Sequence, residues 1–332
     1  MRIALDAMGS DRAPAVEVEA AVAALRELPG DFRLALVGDA AAIEAELARY
    51  ADFPRERIDV VHAAERIAMG ESPAHAIRRK PDSSIVVGLK LHQRGEADAF
   101  ISAGSTGAVM AGSLVLLRPL PGVDRPAIGT ILPTSKGYTL LLDAGANVDT
   151  DAENLLQFAH LGSIYARDLM GYEQPRVGLL NIGEEPEKGD ERTVQAHRLL
   201  SQTPHLNFIG NVEGRDIIHD AADVVVCDGF VGNVLLKFYE SVAGFIARLL
   251  RREAEAATAS LDLTRVFQVL DYTEIGGAPL LGVNGVTIIC HGGSPPRAIR
   301  NAIRIAVQAV ENDMVSHIRK RLAQLAERPE SV

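Results

Sequence analysis

Short apolar segments that fit β-strands alternate with helical segments along almost the whole sequence. Many of the strand segments are β-branched and apolar throughout, which is typical of parallel strands covered on both faces. This alternation predicts an α/β fold, namely one three-layer α/β/α domain over residues 1–332 with a mostly parallel sheet. In such a fold, ligands bind at the carboxyl ends of the strands.

The predicted elements follow one another with few interruptions. Strands are expected at Arg2–Leu5, Arg33–Val37, Ile58–His62, Ala97–Ser102, Gly129–Leu132, Tyr138–Asp143, Arg176–Asn181, Leu206–Gly210, Asp223–Cys227 and Gly285–His291. Helices are expected at Ala15–Leu28, Ala40–Tyr50, Ser84–Arg94, Gly107–Leu117, Asp151–Leu169, Glu191–Ser201, Asn233–Ala256 and Pro296–Leu325. Asp39, Asp149 and Asp190 are placed to cap helices, and Pro296 suits a first helical turn.

The composition excludes several classes of protein. A net charge of −10 over 332 residues argues against a general nucleic-acid binder, and the absence of tryptophan argues against a base-stacking surface. Two cysteines, Cys227 and Cys290, lie in apolar strand-like segments, so a disulfide framework is excluded and a reduced, cytosolic protein is expected. The chain begins directly with a strand pattern, which indicates no signal peptide, and no apolar run reaches the ~18 residues of a membrane span.

A glycine-rich junction joins one predicted strand to a helix between Phe100 and Met110. It contains Gly104, Ser105, Thr106 and Gly107. Backbone N–H groups at such a helix start have no partner within the helix and lie at the positive end of its dipole. The junction therefore predicts a binding site for a phosphate-sized anion.

Two further strand ends carry polar residues. Asp6 ends the first strand and Arg12 follows it, which places both at the mouth of a site, although turn formation explains the same residues. Asp143 ends another strand, and with Asn147 it is expected to orient a polar substrate.

Two more loops complete the set. Lys188 lies between Gly183 and Gly189 in a charged loop, where a lysine either faces solvent or holds an anion. Asn233 follows a glycine turn and is expected either to cap the next helix or to bind substrate. Because all these loops follow strand ends, we predict that they share one pocket.

Common catalytic signatures are missing from the sequence. There is no dinucleotide-binding glycine motif, no phosphate-binding P-loop, no serine-hydrolase elbow and no zinc-like cluster of Cys and His. Cys290 and His291 are neighbours in a strand, so their side chains point to opposite faces and make a poor catalytic pair. His291 is instead expected to contact substrate at the end of its strand.

One stretch departs from the alternation. Leu263, Val266, Phe267 and Leu270 have the spacing of an amphipathic helix. This pattern is explained either by a core or subunit-interface helix or by a surface that touches a membrane or an acyl group.

Seven motifs in order resemble the bacterial phosphate acyltransferases of phospholipid synthesis, which transfer a fatty acyl group from acyl carrier protein to inorganic phosphate. They are MGSDRAP, SAGSTGAVMA, LDAGANVD, NIGEEPEKG, VEGRDI, CDGFVGNVLLK and GGAPLLGVNGVTIICHG, and the resemblance as a whole extends from Met1 to about Asn312. Ser10, Arg12, Ser105 and Val231 stand where the family more often has Gly, His, Asn and Thr. These differences bear on the individual roles of residues 10, 12 and 105 more than on the assignment of the chain to the family.

The resemblance implies a fold like that of phosphotransacetylases and isocitrate-type dehydrogenases, and no metal or organic cofactor. It also implies a homodimer with a protruding helical tip around residues 240–275, in which Leu261–Leu270 meets the membrane. The expected partners are acyl carrier protein, inorganic phosphate, the membrane surface and a downstream glycerol-3-phosphate acyltransferase, with no nucleic acid. Lys188 and Asn233 match the positions associated with the active site. The expected location is cytoplasmic and peripheral to the membrane.

The chemistry needs no general base, because phosphate is already an oxyanion at pH 7. We expect the Ser105–Gly107 turn and Lys188 to hold phosphate while it attacks the thioester, with Asn233 as a donor to the oxyanion. Direct transfer is preferred, and Cys290 and Ser105 remain alternatives as acyl carriers. Three other functions stay open from the residues: a short-acyl phosphotransacetylase acting on coenzyme A, a dehydrogenase of related fold, and a membrane-associated scaffold.

Overall fold

The structure is a computed structural model that describes residues 1–256 and 276–326. These residues form two compact units. The first contains Met1–Pro126, Arg167–Gly171 and the described residues from Gly276 onward, and the second contains Ala127–Ala166 and the described residues from Tyr172 onward. A single domain over 1–332 stays a prediction, and much of the tip expected around 240–275 lies outside the described residues.

Strands and helices alternate as the sequence predicts. The strands are β1 (Arg2–Asp6), β2 (Arg33–Gly38), β3 (Ile58–His62), β4 (Ala99–Ser102), β5 (Ala127–Pro133), β6 (Tyr138–Leu142), β7 (Val177–Asn181), β8 (Phe208–Glu213), β9 (Val224–Val226), β10 (Ala278–Leu281) and β11 (Val286–Ile289). The helices are α1 (Ala15–Glu27), α2 (Ala40–Leu47), α3 (Pro73–Arg79), α4 (Ser84–Gln93), α5 (Thr106–Leu116), α6 (Ala152–Leu169), α7 (Glu191–Gln202), α8 (Gly229–Ala256), α9 (Pro296–Glu311) and α10 (Met314–Ala326).

The sheet of the first unit has the strand order β3-β2-β1-β4-β11-β10. All its pairings are parallel except that of β10 with β11. Ile3, Ala4 and Leu5 of β1 are each at most 1% exposed. Because successive side chains of a strand point to opposite faces, helices must cover both faces of this sheet.

The sheet of the second unit has the order β5-β6-β9-β7-β8, and only β5 runs antiparallel to its neighbour. Leu140, Leu141 and Leu142 of β6 are 0% exposed, so this sheet is also covered on both faces. The predicted α/β architecture, with mostly parallel strands flanked by helices, is confirmed.

Several local predictions are corrected. The single helix expected over Pro296–Leu325 is two helices, because Asp313 has a left-handed backbone with φ 48° that cannot continue a right-handed helix. Helix α3 and strand β10 were not predicted; α3 has only seven residues, and β10 pairs with β11 over two positions, Ala278 and Pro279. Such short elements leave too little periodicity to recognise.

The helix caps are partly as predicted. Asp39 accepts from the N–H groups of Ala41 and Ala42, and Asp190 accepts from that of Thr193, as expected. Helix α6 is capped by Asp151 instead of Asp149, since the Asp151 carboxylate accepts the Asn154 N–H at 2.8 Å.

Candidate active site

Three neighbouring strands of the first unit, β1, β4 and β11, are mutually parallel, so their carboxyl ends lie at one edge of its sheet. The predicted residues of this unit follow those ends: Asp6 and Arg12 at β1, the Gly104–Gly107 turn at β4, and His291 at β11. The structure therefore brings these loops to a common edge within the unit.

Asp6 is a buried carboxylate that links two of these loops. It is 1% exposed, accepts the Ser102 hydroxyl at 2.6 Å, and accepts the Met8 N–H at 3.0 Å. The Gly104 N–H donates in turn to the Ser102 hydroxyl oxygen at 3.0 Å. Burial raises the pKa of Asp6, and the hydrogen bonds oppose that rise. In this position Asp6 supports the loops from beneath.

Gly9 allows the β1 and β4 loops to touch through their backbones. A Cβ atom at Gly9 would lie 2.6 Å from the amide nitrogen of Gly104 and 2.9 Å from the carbonyl carbon of Ala103. The third loop joins them, because the Asp11 N–H donates to the Gly292 carbonyl at 2.9 Å. Any larger residue at position 9 would force the loops apart.

The α5 turn has the geometry of an anion site. Ser105 is the N-cap, and its hydroxyl accepts the Ala108 N–H at 3.4 Å. The N–H groups of Thr106 and Gly107 belong to the first turn, where a helix offers no acceptor, so they stay available to an anion. The Ser105 hydroxyl is engaged in capping, which fits poorly with a nucleophile.

Arg12 and His291 are exposed side chains of the same unit. Within residues 1–256 and 276–326, no carboxylate lies within ion-pair distance of the Arg12 guanidinium. The Nδ1 atom of His291 accepts the Gly293 N–H at 3.2 Å, and the Nε2 atom is not used in that hydrogen bond. Both side chains are thus free to meet a ligand.

Glu17 is a buried acid beneath the first loop that sequence reasoning missed. It is 0% exposed on α1, and its Oε1 accepts the Ser10 N–H at 2.7 Å. In the described part of the chain, its Oε2 and the Ser10 hydroxyl are both buried without a hydrogen-bond partner. Burial raises the pKa of Glu17 to about 7. A glutamate between valines on an apolar helix face was the one signal that could have revealed it.

We expect Glu17→Gln to remove part of the pH dependence of stability. The pKa of Glu17 is raised from 4.5 to about 7, so between these values the folded protein keeps a proton that the unfolded chain releases. The free energy of unfolding therefore falls as pH rises through this window, and a shift of this size corresponds to about 3 kcal/mol. Urea unfolding at pH 5 and pH 8 should show the variant gaining stability over the wild type only at pH 8. The exposed Glu19→Gln is the matched control, and equal pH dependence in all three proteins would contradict the expectation.

In the second unit, Asp143 organises the loop that follows β6. Its carboxylate is 0% exposed and accepts from the N–H groups of Ile128, Gly145, Ala146 and Asn147 at 2.7–3.1 Å. The Asn147 amide also donates to it at 2.9 Å. Burial raises the pKa of Asp143 against these hydrogen bonds. Both side chains thus shape the loop itself.

Asn233 is presented by a close contact between this loop and the start of α8. A Cβ atom at Gly232 would lie 1.9 Å from the Asp143 carbonyl oxygen, so only glycine fits there. Helix α8 begins at Gly229, four residues before the predicted start, because Asp228 caps it by accepting the N–H groups of Phe230 and Val231. Of the two roles foreseen for Asn233, capping is therefore excluded. Its side chain is exposed and lies beside Gly145.

Lys188 lies on a loop held by Asn181 at the end of β7. The Asn181 amide donates to the Lys188 carbonyl at 2.9 Å, and its oxygen accepts the Ile182 N–H at 2.8 Å. Gly189 has φ 96°, a conformation that favours glycine. Lys188 itself is exposed, and among the described residues its ammonium has no carboxylate partner. A positioned, unpaired cation of this kind suits an anionic ligand.

The ion pairs of Arg192, also in this unit, were not predicted from the sequence. Arg192 pairs with Asp228 at 2.9 Å and with Asp190 at 3.2 Å, beside a mostly apolar cavity of about 300 Å³. The charged loop before α7 suggested a solvated surface or an anion held by Lys188, and it gave no indication of a role for Arg192. No local pattern links Arg192 to Asp228, which lies 36 positions further along the chain.

Neither cysteine is a good nucleophile. Both are buried, and burial raises the pKa of the Cys290 thiol to about 12 and raises the pKa of the Cys227 thiol well above its ordinary value. Since the thiolate is the reactive form, both thiols are inert near neutral pH.

Comparison with known proteins identifies the family. A family model described as "Fatty acid synthesis protein" matches residues 1–317. A phosphate acyltransferase from Heliobacterium modesticaldum is 52% identical over 330 residues, which cover 97% of this chain and 98% of that relative. The chain belongs to the phosphate acyltransferase family. The resemblance drawn from the seven sequence motifs is thereby confirmed.

Solved structures support the fold predicted for this phosphate acyltransferase family member. A phosphotransacetylase from Streptococcus pyogenes aligns over 94% of each chain with a TM-score of 0.62 and 18% identity. A 4-hydroxythreonine-4-phosphate dehydrogenase from Klebsiella pneumoniae aligns over 93% of this chain and 97% of its own, with a TM-score of 0.52 and 12% identity. At these identities the likeness concerns the fold alone.

Proposed function

We propose that this enzyme transfers a fatty acyl group from the thioester of acyl carrier protein to inorganic phosphate, giving an acyl phosphate for phospholipid synthesis. Membership of the phosphate acyltransferase family supports acyl transfer to phosphate. The observation that carries the proposal is the Lys188 ammonium, exposed on a pinned loop and without a carboxylate partner among the described residues. The identity of the acyl donor as acyl carrier protein is the more specific part of the proposal.

The reaction needs positioned donors more than it needs a base. A phosphate oxygen attacks the thioester carbonyl carbon, a C–O bond forms, and the carbonyl oxygen becomes an oxyanion. The C–S bond then breaks, and the carrier thiolate leaves and takes a proton from water. In the second unit, Lys188 is assigned to the phosphate and Asn233 to the oxyanion. In the first unit, the N–H groups of Thr106 and Gly107 also suit an anion, and this assignment rests on its own evidence.

Direct transfer is favoured over an acyl-enzyme. Cys290 is buried, with a pKa near 12, and the Ser105 hydroxyl caps α5. Neither group is activated by a base in the described part of the chain. The attack by phosphate itself requires no further nucleophile.

A donor comparison tests the proposal. The purified protein is mixed with radiolabelled phosphate and one of three donors: palmitoyl carrier protein, palmitoyl-coenzyme A or acetyl-coenzyme A. We expect the palmitoyl carrier to give the most hydroxylamine-sensitive product. Faster turnover of acetyl-coenzyme A would favour a short-acyl phosphotransacetylase, and no product from any donor would reject acyl transfer to phosphate.

Helix α8 carries an exposed apolar face that we assign to a second copy of the chain. Val234, Phe238, Val242, Phe245 and Leu249 are 36–66% exposed and recur every three or four residues. That spacing matches the seam along which two helices pack. A homodimer, as the sequence resemblance implies, would cover this face.

The same helix corrects one expectation. Residues Gly229–Leu250 are long and apolar enough to cross a membrane by length and composition, with 11% of the apolar window buried. The sequence analysis found no such run because Lys237 and Glu240, which pair at 2.9 Å, interrupt it. An amphipathic helix that packs against a second copy of the chain also meets these criteria of length and composition.

Phe238→Glu should separate the protomers. A charge buried in an apolar interface is strongly unfavourable, so light scattering should give the mass of a dimer for the wild type and of a monomer for the variant. Ile218→Glu, at an exposed apolar position outside α8, is the control and should remain dimeric. A wild-type monomer, or a dimeric Phe238→Glu, would reject this interface.

Peripheral membrane association and a downstream glycerol-3-phosphate acyltransferase partner stay proposals from the sequence. The amphipathic segment Leu261–Leu270 that suggests the membrane contact lies outside the described residues. Vesicle flotation of Val266→Asp and Phe267→Asp tests the contact, and unchanged recovery of both with the vesicles would remove it.

A further inference from the structure

A mostly apolar cavity of about 300 Å³ lies within the second unit, beside the loop that carries Lys188. Its buried wall is formed by Leu155, Leu179 and Cys227, which are at most 4% exposed. Leu180 and Val231 line the side. Nothing in the transfer of the acyl group to phosphate, as derived above, uses these side chains.

The cavity is continuous with the catalytic loop. Asn181 and Gly189 line it, and the Asn181 amide holds the Lys188 backbone at 2.9 Å. Val231 belongs to the first turn of α8, two residues before Asn233. A group bound in this cavity would thus share its walls with the elements that position both proposed catalytic side chains.

The charges at the cavity disfavour an anionic occupant. Arg192 is the cation that lines it, and this guanidinium is paired with both Asp228 and Asp190. One positive and two negative charges leave a net negative rim. A neutral chain fits such a rim better than a free carboxylate does.

The volume suits a hydrocarbon chain. An apolar protein cavity of ~150 Å³ stays dry and binds benzene, so a cavity of twice that size holds roughly a dozen carbon atoms. The Arg192 Nε atom is buried without a hydrogen-bond partner among the described residues, but most of the lining is apolar. Apolar walls gain little from water and more from methylene groups.

We infer that this cavity receives the hydrocarbon tail of the acyl donor and sets the preferred chain length. The inference rests on the proposed function, because that reaction supplies the acyl chain. The thioester end of the chain remains outside, on the side of the Lys188 loop. Val231 is the lining residue best placed to tune its depth, since it is partly exposed and its replacement disturbs the core least.

Val231→Phe should shorten the preferred chain. The added ring displaces roughly three methylene groups, each worth about fourfold in binding. The ratio of kcat/KM for hexadecanoyl donor to that for decanoyl donor should fall tenfold or more, and in Val231→Ala it should rise. Ile218→Phe adds the same ring at an exposed position outside the cavity and should leave the ratio unchanged.

A binding measurement makes the test independent of turnover. 1-Decanol should raise the melting temperature of the wild type and of Ile218→Phe, and it should raise that of Val231→Phe by less. An unchanged chain-length ratio in Val231→Phe, or no response of the wild type to decanol, would overturn the cavity assignment while acyl phosphate is still formed. Absence of acyl phosphate from the wild type with every donor would overturn the proposed function instead.

Discussion

Lys188→Ala is expected to lower kcat/KM for phosphate about 100- to 1000-fold and to leave the fold intact. Removal of one fixed donor from a developing or bound anion typically has an effect of this size. The side chain is exposed and contributes no ion pair among the described residues, so its loss should not reduce stability. Initial rates over a range of phosphate concentrations measure the effect, with the largest difference at low phosphate.

The controls separate charge from structure. Lys136→Ala removes an exposed lysine of the same unit and should keep wild-type activity. Lys188→Arg retains the charge with a different donor geometry and should recover part of the rate. A wild-type rate for Lys188→Ala at low phosphate would remove Lys188 from the mechanism.

Asn233→Ala should lower kcat about 100- to 1000-fold with a smaller change in KM for phosphate. The proposed amide donor acts on the oxyanion, which exists only after the attack, so its loss raises the barrier more than it weakens binding. Because Asp228 caps α8, the helix start does not depend on the Asn233 side chain. The melting temperature should therefore stay near that of the wild type.

Asn233→Asp sharpens the test, because it keeps the shape and replaces a donor by a negative charge. It should be at least as inactive as Asn233→Ala. Asn207→Ala, in the same unit, is the control and should be active. A rise in KM alone, with kcat preserved in both Asn233 variants, would contradict the oxyanion role.

The local parts of the fold were predictable. Ile58–His62 has the predicted bounds, and Asp39 and Asp190 cap the helices they were expected to cap. Each depends on residues within a few positions, where periodicity and capping preferences act. Short elements such as β10 were missed because their pairing, and not their composition, holds them in place.

The site was predictable in its loops but not in its contacts. Sequence patterns located the Gly104–Gly107 turn, Lys188 and Asn233 after strand ends. They did not reveal that the Asp143 carboxylate accepts hydrogen bonds from its own loop. Nor did they reveal that one carboxylate oxygen of Glu17 is buried without a hydrogen-bond partner among the described residues. Burial of a charged group depends on what packs around it, which a linear pattern does not record.

By itself the sequence determined the alternation of strands and helices, the glycine turns at the strand ends and the family. The tertiary structure alone decided which polar side chains are free: Asn233 is released by the Asp228 cap, and Asp6 is bound to Ser102, 96 positions away. It also created the apolar cavity and its Arg192–Asp228 rim. The physical reason is range, because helix and turn preferences act between near neighbours, whereas burial and ion pairing arise between segments that only the folded chain brings together.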